Sequence, residues 1–227
     1  MAAAVQSSHT MQNSHLDALL PEWMKNELLT GTSIMAVEFD GGVVVGADSR
    51  TSLGTYVSNR VTDKLTRVTD SIYCCRSGSA ADTQAIADIV SSHMEILHGS
   101  QTHSFNPNNG NKDVPEGHNM LMAGIIVAGW DKTNGGQVYT IPLGGMIVRQ
   151  PVAIGGSGST FVWGYVDATY KPNMNKEQTV DFVKNTLTLA LTRDGSSGGV
   201  VRVAIITKDG VERRVFLHNE LPEFYQG

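Results

Sequence analysis

The chain has 227 residues, a hydrophobic content of 41% and a formal net charge of −5, which suit one domain, or one domain with an appendage, that buries a large core. A mildly acidic chain gives no electrostatic reason to expect a nucleic acid as a partner. Its apolar runs fall short of the roughly 20 residues that a membrane helix needs, so no membrane is an expected partner either.

The beginning of the chain and its cysteines argue against secretion. Residues 1–31 are polar, apart from one apolar patch at residues 16–24, and lack the basic and apolar regions of a signal peptide. The only two cysteines, Cys74 and Cys75, are adjacent and poorly placed to pair, which favours a reducing compartment. Two interpretations of residues 1–31 are open: a disordered tail, or a prosegment that docks on the protein before it is removed.

Beyond this leader the pattern predicts β-strands joined by tight turns. Apolar runs at residues 34–39 and 43–45 flank Asp40-Gly41, and an Asp-Gly pair between apolar runs is a strong hairpin signal. A second strand pair is expected at residues 61–65 and 71–77. Apolar residues from 81 to 94 then recur at the spacing of a helix.

The second half of the chain predicts further strands and two helices. One helix is expected at residues 159–169. Asn175 with Gln178 resembles the capping box of another helix, which ends near Arg193. The strands are expected at residues 121–130, 137–141, 146–150, 200–207 and 211–217, with turns at Leu143-Gly144-Gly145 and Lys208-Asp209-Gly210 and a loop at 194–199.

The order of these elements indicates the fold class. Hairpin turns imply antiparallel pairing, and several strands are apolar on both faces, so both faces must be covered. We therefore expect an α+β fold in which two antiparallel sheets pack together with helices outside them, a four-layer αββα sandwich.

Four residues have the chemistry for amide hydrolysis if the chain is cut after Gly31. Thr32 would then carry a hydroxyl nucleophile and a free α-amine, whose pKa near 7.7–8.0 suits a general base. Lys64 beside the hydroxyl would lower the pKa of that amine, and Asp48 would fix Lys64 in place. Gly78 has no side chain, so its N–H is able to approach a developing oxyanion.

Each of these residues also has an ordinary structural explanation. Threonine is common in β-strands, so Thr32 suits the start of a strand without any catalytic role, and Asp48 suits the end of one. Lys64 suits an edge strand, and Gly78 suits a break before a helix. The catalytic hypothesis therefore depends on their combination.

The combined motifs resemble a known family, the catalytic beta subunits of the eukaryotic 20S proteasome, and most of all their caspase-like (beta-1) type. The resemblance spans about residues 31–216. The motifs that carry it are Thr32-Ser33-Ile34-Met35-Ala36-Val37, Gly46-Ala47-Asp48-Ser49-Arg50, Asp63-Lys64, Arg76-Ser77-Gly78-Ser79-Ala80-Ala81-Asp82, Gly155-Gly156-Ser157-Gly158-Ser159 and Arg193-Asp194-Gly195-Ser196-Ser197-Gly198-Gly199.

The resemblance implies an N-terminal-nucleophile hydrolase fold, with residues 1–31 as a prosegment removed on maturation and residues 32–227 as the hydrolase domain. It implies that Thr32 is the nucleophile and that cleavage falls between Gly31 and Thr32. The other implied catalytic residues are Asp48, Lys64, Gly78, Ser157, Asp194 and Ser197, of which the last three would hold the new N-terminus and its water. The family commonly begins Thr-Thr, whereas this chain has Thr32-Ser33, a change outside the reacting atoms.

Arg76 indicates the substrate preference. Residues 76, 78 and 80 share one face of a strand, so the Arg76 guanidinium would project beside Gly78 into the pocket for the P1 side chain, where it selects Asp or Glu. The alternative is an arginine that bonds a neighbouring subunit. The remaining residues expected to line the substrate-binding pocket are Thr51, Ser52, Thr62, Thr66 and Ala80.

One segment departs from the family, which normally has a second long helix before residue 121. Residues 105–117 contain two Pro and two Gly, which oppose a helix, so either a loop replaces it or the sequence is faulty at this point. The nearby histidines show no convincing metal-site spacing and are expected to be solvated. They are His93, His98, His103 and His118. No metal or cofactor is expected.

The resemblance also implies the partners. Other proteasome beta and alpha subunits would surround the chain in stacked heptameric rings, with a regulatory particle acting indirectly, in the cytoplasm and nucleus. The substrates would be unfolded, mostly ubiquitin-tagged proteins. Two other functions stay open: an N-terminal-nucleophile amidohydrolase of small amides, and a non-catalytic ring subunit.

Overall fold

The computed structural model describes residues 29–53, 56–79, 123–142 and 146–225. Several predictions lie outside these residues. They concern the leader before residue 29, the pocket residue Ala80, the helix at 81–94, the segment 101–119 with its histidines, and the turn at 143–145.

Two antiparallel sheets form the body of the described fold. The first contains, in spatial order, β1 (Leu29–Thr30), β7 (Ile72–Ser79), β8 (Ala123–Asp131), β9 (Gly135–Ile141) and β10 (Val148–Arg149), and β6 (Leu65–Thr69) also pairs with β7. The second contains β11 (Val152–Gly155), β2 (Ile34–Phe39), β3 (Gly42–Ala47), β12 (Val201–Thr207) and β13 (Gly210–Phe216). A short separate ladder joins β4 (Thr51–Leu53) to β5 (Tyr56–Asn59).

The hairpin β2–β3 is confirmed and shows why these strands are apolar on both faces. Phe39 pairs with Gly42, and Gly41 has a φ of 106°, a conformation that favours glycine in a tight turn. Along β2, Ile34 and Ala36 face the first sheet. Met35 and Val37 instead pack in the cluster formed with the helices. Strands β2 and β3 of the second sheet are therefore buried on both faces, as predicted.

In the part of the chain that the structure describes, two helices cover the outer face of the second sheet. They are α1 (Trp163–Thr169) and α2 (Lys176–Arg193). The capping box of α2 is confirmed, because the Asn175 side chain accepts from Gln178 N–H and the Gln178 side chain accepts from Asn175 N–H. Helix α2 packs across β2, β3 and β12, and this anchors the loop that follows Arg193.

Some predicted boundaries were wrong. Residues 61–63 are not a strand, because their polar groups bond to other segments, and β6 begins only at Leu65. The helix predicted at 159–169 begins as a 3₁₀ turn at Ser157–Phe161 before α1. The strand predicted at 146–150 is reduced to β10, and β4, β5 and β11 were missed because short strands carry little periodicity.

Candidate active site

The Lys64 ammonium is the centre of the site. Its Nζ donates to Asp48 Oδ1 at 2.7 Å, to Thr32 Oγ1 at 3.0 Å and to the Gly31 carbonyl at 2.9 Å. The residue is only 6% exposed. An ammonium has three protons, and each has an acceptor here, so the side chain has one well-defined position. That position touches both the hydroxyl and the carbonyl of the Gly31–Thr32 junction.

The Asp48 carboxylate is fully buried and accepts hydrogen bonds through both oxygens. Besides Lys64, its donors are the backbone N–H groups of Ser33 at 2.9 Å, Arg50 at 3.2 Å and Gly198 at 3.1 Å. Burial raises the pKa of Asp48 and lowers the pKa of Lys64, and the ion pair opposes both shifts. Four donors on one carboxylate and three acceptors around one ammonium suit the charged forms, so we assign an ionised pair.

A second network begins at the Thr32 nitrogen. Thr32 N–H donates to Ser157 Oγ at 3.1 Å, and Ser157 Oγ donates to Asp194 Oδ2 at 2.7 Å. Ser197 Oγ donates to the same oxygen at 2.6 Å and lies 2.7 Å from Ser33 Oγ. Burial alone would raise the pKa of Asp194, but the bonds from Ser197 and Ser157 bring it below its usual value. The carboxylate is therefore charged at neutral pH and orients both serines.

The end of the leader lies against the site as an additional strand. Thr30 in β1 is the register partner of Gly78 in β7. The next residue, Gly31, is packed so closely that a Cβ on it would lie 1.9 Å from the Ser196 Cβ and 2.5 Å from the Ser196 carbonyl oxygen. Only glycine fits between the loop at 194–199 and Lys64, which explains its place before Thr32.

Comparison with known proteins assigns the family. The family model described as proteasome subunit matches residues 28–206. This chain belongs to the proteasome subunit family. It is 55% identical over 221 residues to proteasome subunit beta type-6 of Dictyostelium discoideum, covering 91% of this chain and 99% of that protein. It is also 55% identical over 199 residues to proteasome subunit beta type-1 of Saccharomyces cerevisiae, covering 86% of this chain and 93% of that protein.

A third relative, proteasome subunit beta type-9 of Rattus norvegicus, is 54% identical over 204 residues and covers 88% of this chain and 92% of that protein. The resemblance to proteasome beta subunits is therefore confirmed. The two facing antiparallel sheets with helices outside fit the N-terminal-nucleophile hydrolase fold of this family, so the predicted αββα fold class is confirmed too.

The structure brings the predicted catalytic residues of this proteasome subunit into two connected networks. Lys64 and Asp48 meet at the Thr32 hydroxyl, and Ser157, Asp194 and Ser197 meet at its nitrogen. Gly78 lies in β7 with a φ of 115°, in the region that favours glycine. Its part in oxyanion binding stays a prediction.

The predicted pocket residues fall into two groups. Thr51 and Thr62 share a hydrogen bond of 2.9 Å between their hydroxyls, and Ser52 is buried next to Thr51 in β4. Thr66 in β6 pairs with Cys74 in β7, two residues before Arg76. Burial raises the pKa of Cys74 to about 11, opposed by the charge of Arg76 and a bond from Thr66, so the thiol is neutral beside Arg76.

Three further residues belong to the site, although no role was predicted for any of them. Ser33 joins both networks, because its N–H bonds Asp48 and its hydroxyl bonds Ser197. Gly198 N–H bonds the other Asp48 oxygen. Ser49 Oγ donates to the Arg60 carbonyl at 2.5 Å and accepts from Val200 N–H at 2.8 Å. The sequence indicated them only by position, because each is adjacent to a predicted site residue within one of the family motifs.

No group of three or more His, Cys, Asp or Glu side chains among the described residues is placed to hold a metal ion. No helix in this part of the chain is long and apolar enough to cross a membrane.

Proposed function

We propose that this chain is the precursor of a threonine endopeptidase of the 20S proteasome, which removes its own leader and cleaves unfolded, ubiquitin-tagged proteins after acidic residues. The observation that carries the proposal is the position of Lys64 Nζ, within 3.0 Å of Thr32 Oγ1 and 2.9 Å of the Gly31 oxygen. A buried ammonium that bonds both the hydroxyl and the adjacent carbonyl favours attack of the hydroxyl oxygen on the carbonyl carbon.

In self-cleavage, Thr32 Oγ1 attacks the Gly31 carbonyl carbon. Lys64 stabilises the negative charge that develops on the Gly31 oxygen, because its ammonium already donates to that atom. The C–N bond then breaks, the hydroxyl proton passes to the departing Thr32 nitrogen, and an ester remains. Water hydrolyses the ester to a Gly31 carboxylate and a free Thr32 with hydroxyl and amine.

In peptide turnover, the Thr32 amine accepts the hydroxyl proton. This activates the Thr32 oxygen for attack without any other residue acting as base. Ser157 lies 3.1 Å from that nitrogen and is oriented by Asp194, so it keeps the amine in place. The positive charge of Lys64 lowers the pKa of the amine, and Gly78 N–H binds the oxyanion. No metal or cofactor takes part.

The proposed setting is a closed chamber of stacked heptameric rings, built with other beta and alpha subunits and reached through a regulatory particle. A cytoplasmic and nuclear location goes with that setting. The rival function, an amidohydrolase of small amides, predicts an active free monomer. Size-exclusion chromatography separates the two, because the proposal places the activity in a large particle.

The packing of Gly31 gives the direct test of self-cleavage. In assembled particles, the wild-type subunit should begin at Thr32. Gly31→Ala should keep the leader attached, because its Cβ would collide with Ser196 and move the carbonyl away from Lys64. N-terminal sequencing and intact mass of the purified subunit measure both outcomes.

Gly164→Ala is the matched control, since a Cβ at Gly164 in α1 meets nothing within 4 Å. It should be processed like wild type. Normal processing of Gly31→Ala, or a wild-type subunit that does not begin at Thr32, would contradict the proposed self-cleavage.

Arg76 tests the proposed preference for acidic P1 residues. Removing one partner of a desolvated charge pair costs roughly 2–5 kcal/mol, so Arg76→Ala should lower kcat/KM for a Glu P1 peptide by at least about tenfold. Cleavage after Leu should be spared or improved. Matched peptides with Glu, Leu or Arg at P1 measure this, with the other active sites of the particle blocked.

Arg67→Ala is the control for that substitution. Arg67 is an exposed arginine of the same β6–β7 hairpin, paired with Asp70, and its loss should leave the Glu-to-Leu ratio unchanged. An unchanged ratio in Arg76→Ala would remove the support for acidic specificity and leave the peptidase proposal standing.

A further inference from the structure

The segment immediately before Lys64 has no regular secondary structure, yet its backbone is bonded at several points. Ser49 Oγ donates to the Arg60 carbonyl at 2.5 Å, and Thr62 N–H donates to the Ser49 carbonyl at 2.9 Å. From β12, Arg202 Nη2 donates to the Val61 carbonyl at 2.9 Å. The backbone that leads into Lys64 is therefore fixed by contacts from outside the segment rather than by a strand ladder.

Asp63 is the last residue of this segment, and its carboxylate bonds the backbone of the residue that follows Lys64. Asp63 Oδ1 accepts from Leu65 N–H at 3.0 Å, so the bond closes a short turn around Lys64. Arg213 Nη2 in β13 donates to both Asp63 oxygens, at 3.0 and 2.8 Å. The Arg213 guanidinium also lies 5.9 Å from the centre of the Tyr73 ring, which limits its freedom from a second side.

We propose that Asp63 and Arg213 form a positioning pair for Lys64, an inference that depends on the proposed function. The Lys64 ammonium has three acceptors within 3.0 Å before cleavage, and two of them, Asp48 and the Thr32 hydroxyl, remain once Gly31 is removed. A small shift of its backbone would lengthen both remaining bonds together. Misplacement of a catalytic group by about 1 Å costs up to about 10²-fold in rate, so the outer pair affects turnover although it touches no reacting atom.

The same strand contains a second ion-paired arginine, Arg214, that does not contact the segment before Lys64. Arg214 contacts Glu177 through two guanidinium nitrogens at 2.8 and 2.9 Å and Glu212 through its Nε at 2.7 Å, and these side chains are also partly exposed. The pair with Glu177 joins β13 to the start of α2, on the other side of the sheet from Lys64. Exposed ion pairs of either kind contribute little to stability. A general effect of losing a surface arginine would appear in the Arg213 and Arg214 variants alike, whereas a positioning effect would appear only in the Arg213 variants.

The test compares four variants in assembled particles, with the other active sites blocked and the sites of this subunit titrated. Arg213→Gln and Asp63→Asn should each lower kcat about three- to tenfold, with KM within about twofold of wild type. Asp63→Asn is nearly isosteric and keeps an acceptor for Leu65 N–H. Arg213→Lys retains the charge and should recover kcat to within about twofold, and Arg214→Gln should leave it within about twofold.

Wild-type kcat in Arg213→Gln or Asp63→Asn would overturn the inference, as would an equal loss in Arg214→Gln or a loss confined to KM. If Arg213→Gln does not enter particles, Asp63→Asn decides the question. A wild-type subunit without peptidase activity would instead refute the proposed function. An active wild type with unaffected variants refutes only the positioning pair.

Discussion

Thr32→Ala should leave the leader attached and abolish the peptidase activity of this subunit, by at least about 10³-fold. The Thr32 hydroxyl is the only reacting atom lost, and the Lys64 ammonium that donates to it keeps its two other acceptors, Asp48 and Gly31. The site should therefore stay assembled while both reactions stop. The measurements are the intact mass of the subunit and single-site peptide turnover in purified particles.

Thr32→Ser is the matched control because it keeps the hydroxyl and removes only a methyl group. It should be processed and retain measurable turnover. Leader removal at the Gly31–Thr32 bond in Thr32→Ala, other than trimming by neighbouring subunits, would refute the threonine mechanism.

Lys64→Arg should lose both processing and turnover, by about 10²-fold or more, while assembly is partly retained. The substitution keeps the charge but replaces a compact ammonium by a longer planar fork, which is not conservative in a tight site. The buried space around Lys64 has three acceptors placed for one nitrogen. Processing by mass spectrometry and turnover per assembled subunit measure the two losses.

Lys176→Arg is the control for this change. Lys176 also pairs with a carboxylate, Glu212, but on the protein surface, where a guanidinium has room. Its processing and turnover should equal those of wild type. Turnover near wild type in assembled Lys64→Arg particles would show that Lys64 is not a catalytic group.

The sequence predicts a local feature correctly where a few neighbouring residues are enough to form it. The turn after Phe39 needed only Asp40-Gly41, and the start of α2 needed only Asn175 and Gln178. Both features depend on neighbours a few positions apart. The strand predicted at residues 61–63 is instead a loop, because Ser49 bonds the Thr62 backbone and Arg202 bonds the Val61 backbone from distant segments.

The sequence by itself determined the β-hairpins, the long helix, the burial of both faces of β2 and β3 and, through its motifs, the family. Only the tertiary structure decided which polar atoms meet. Thr32 bonds Ser157 across 125 positions, and Asp48 bonds Gly198 across 150. Periodicity and turn chemistry depend on near neighbours, whereas hydrogen bonds to a buried charge depend on how the two sheets and their loops pack, and this is why Ser33, Ser49 and the Asp63–Arg213 pair emerged only in three dimensions.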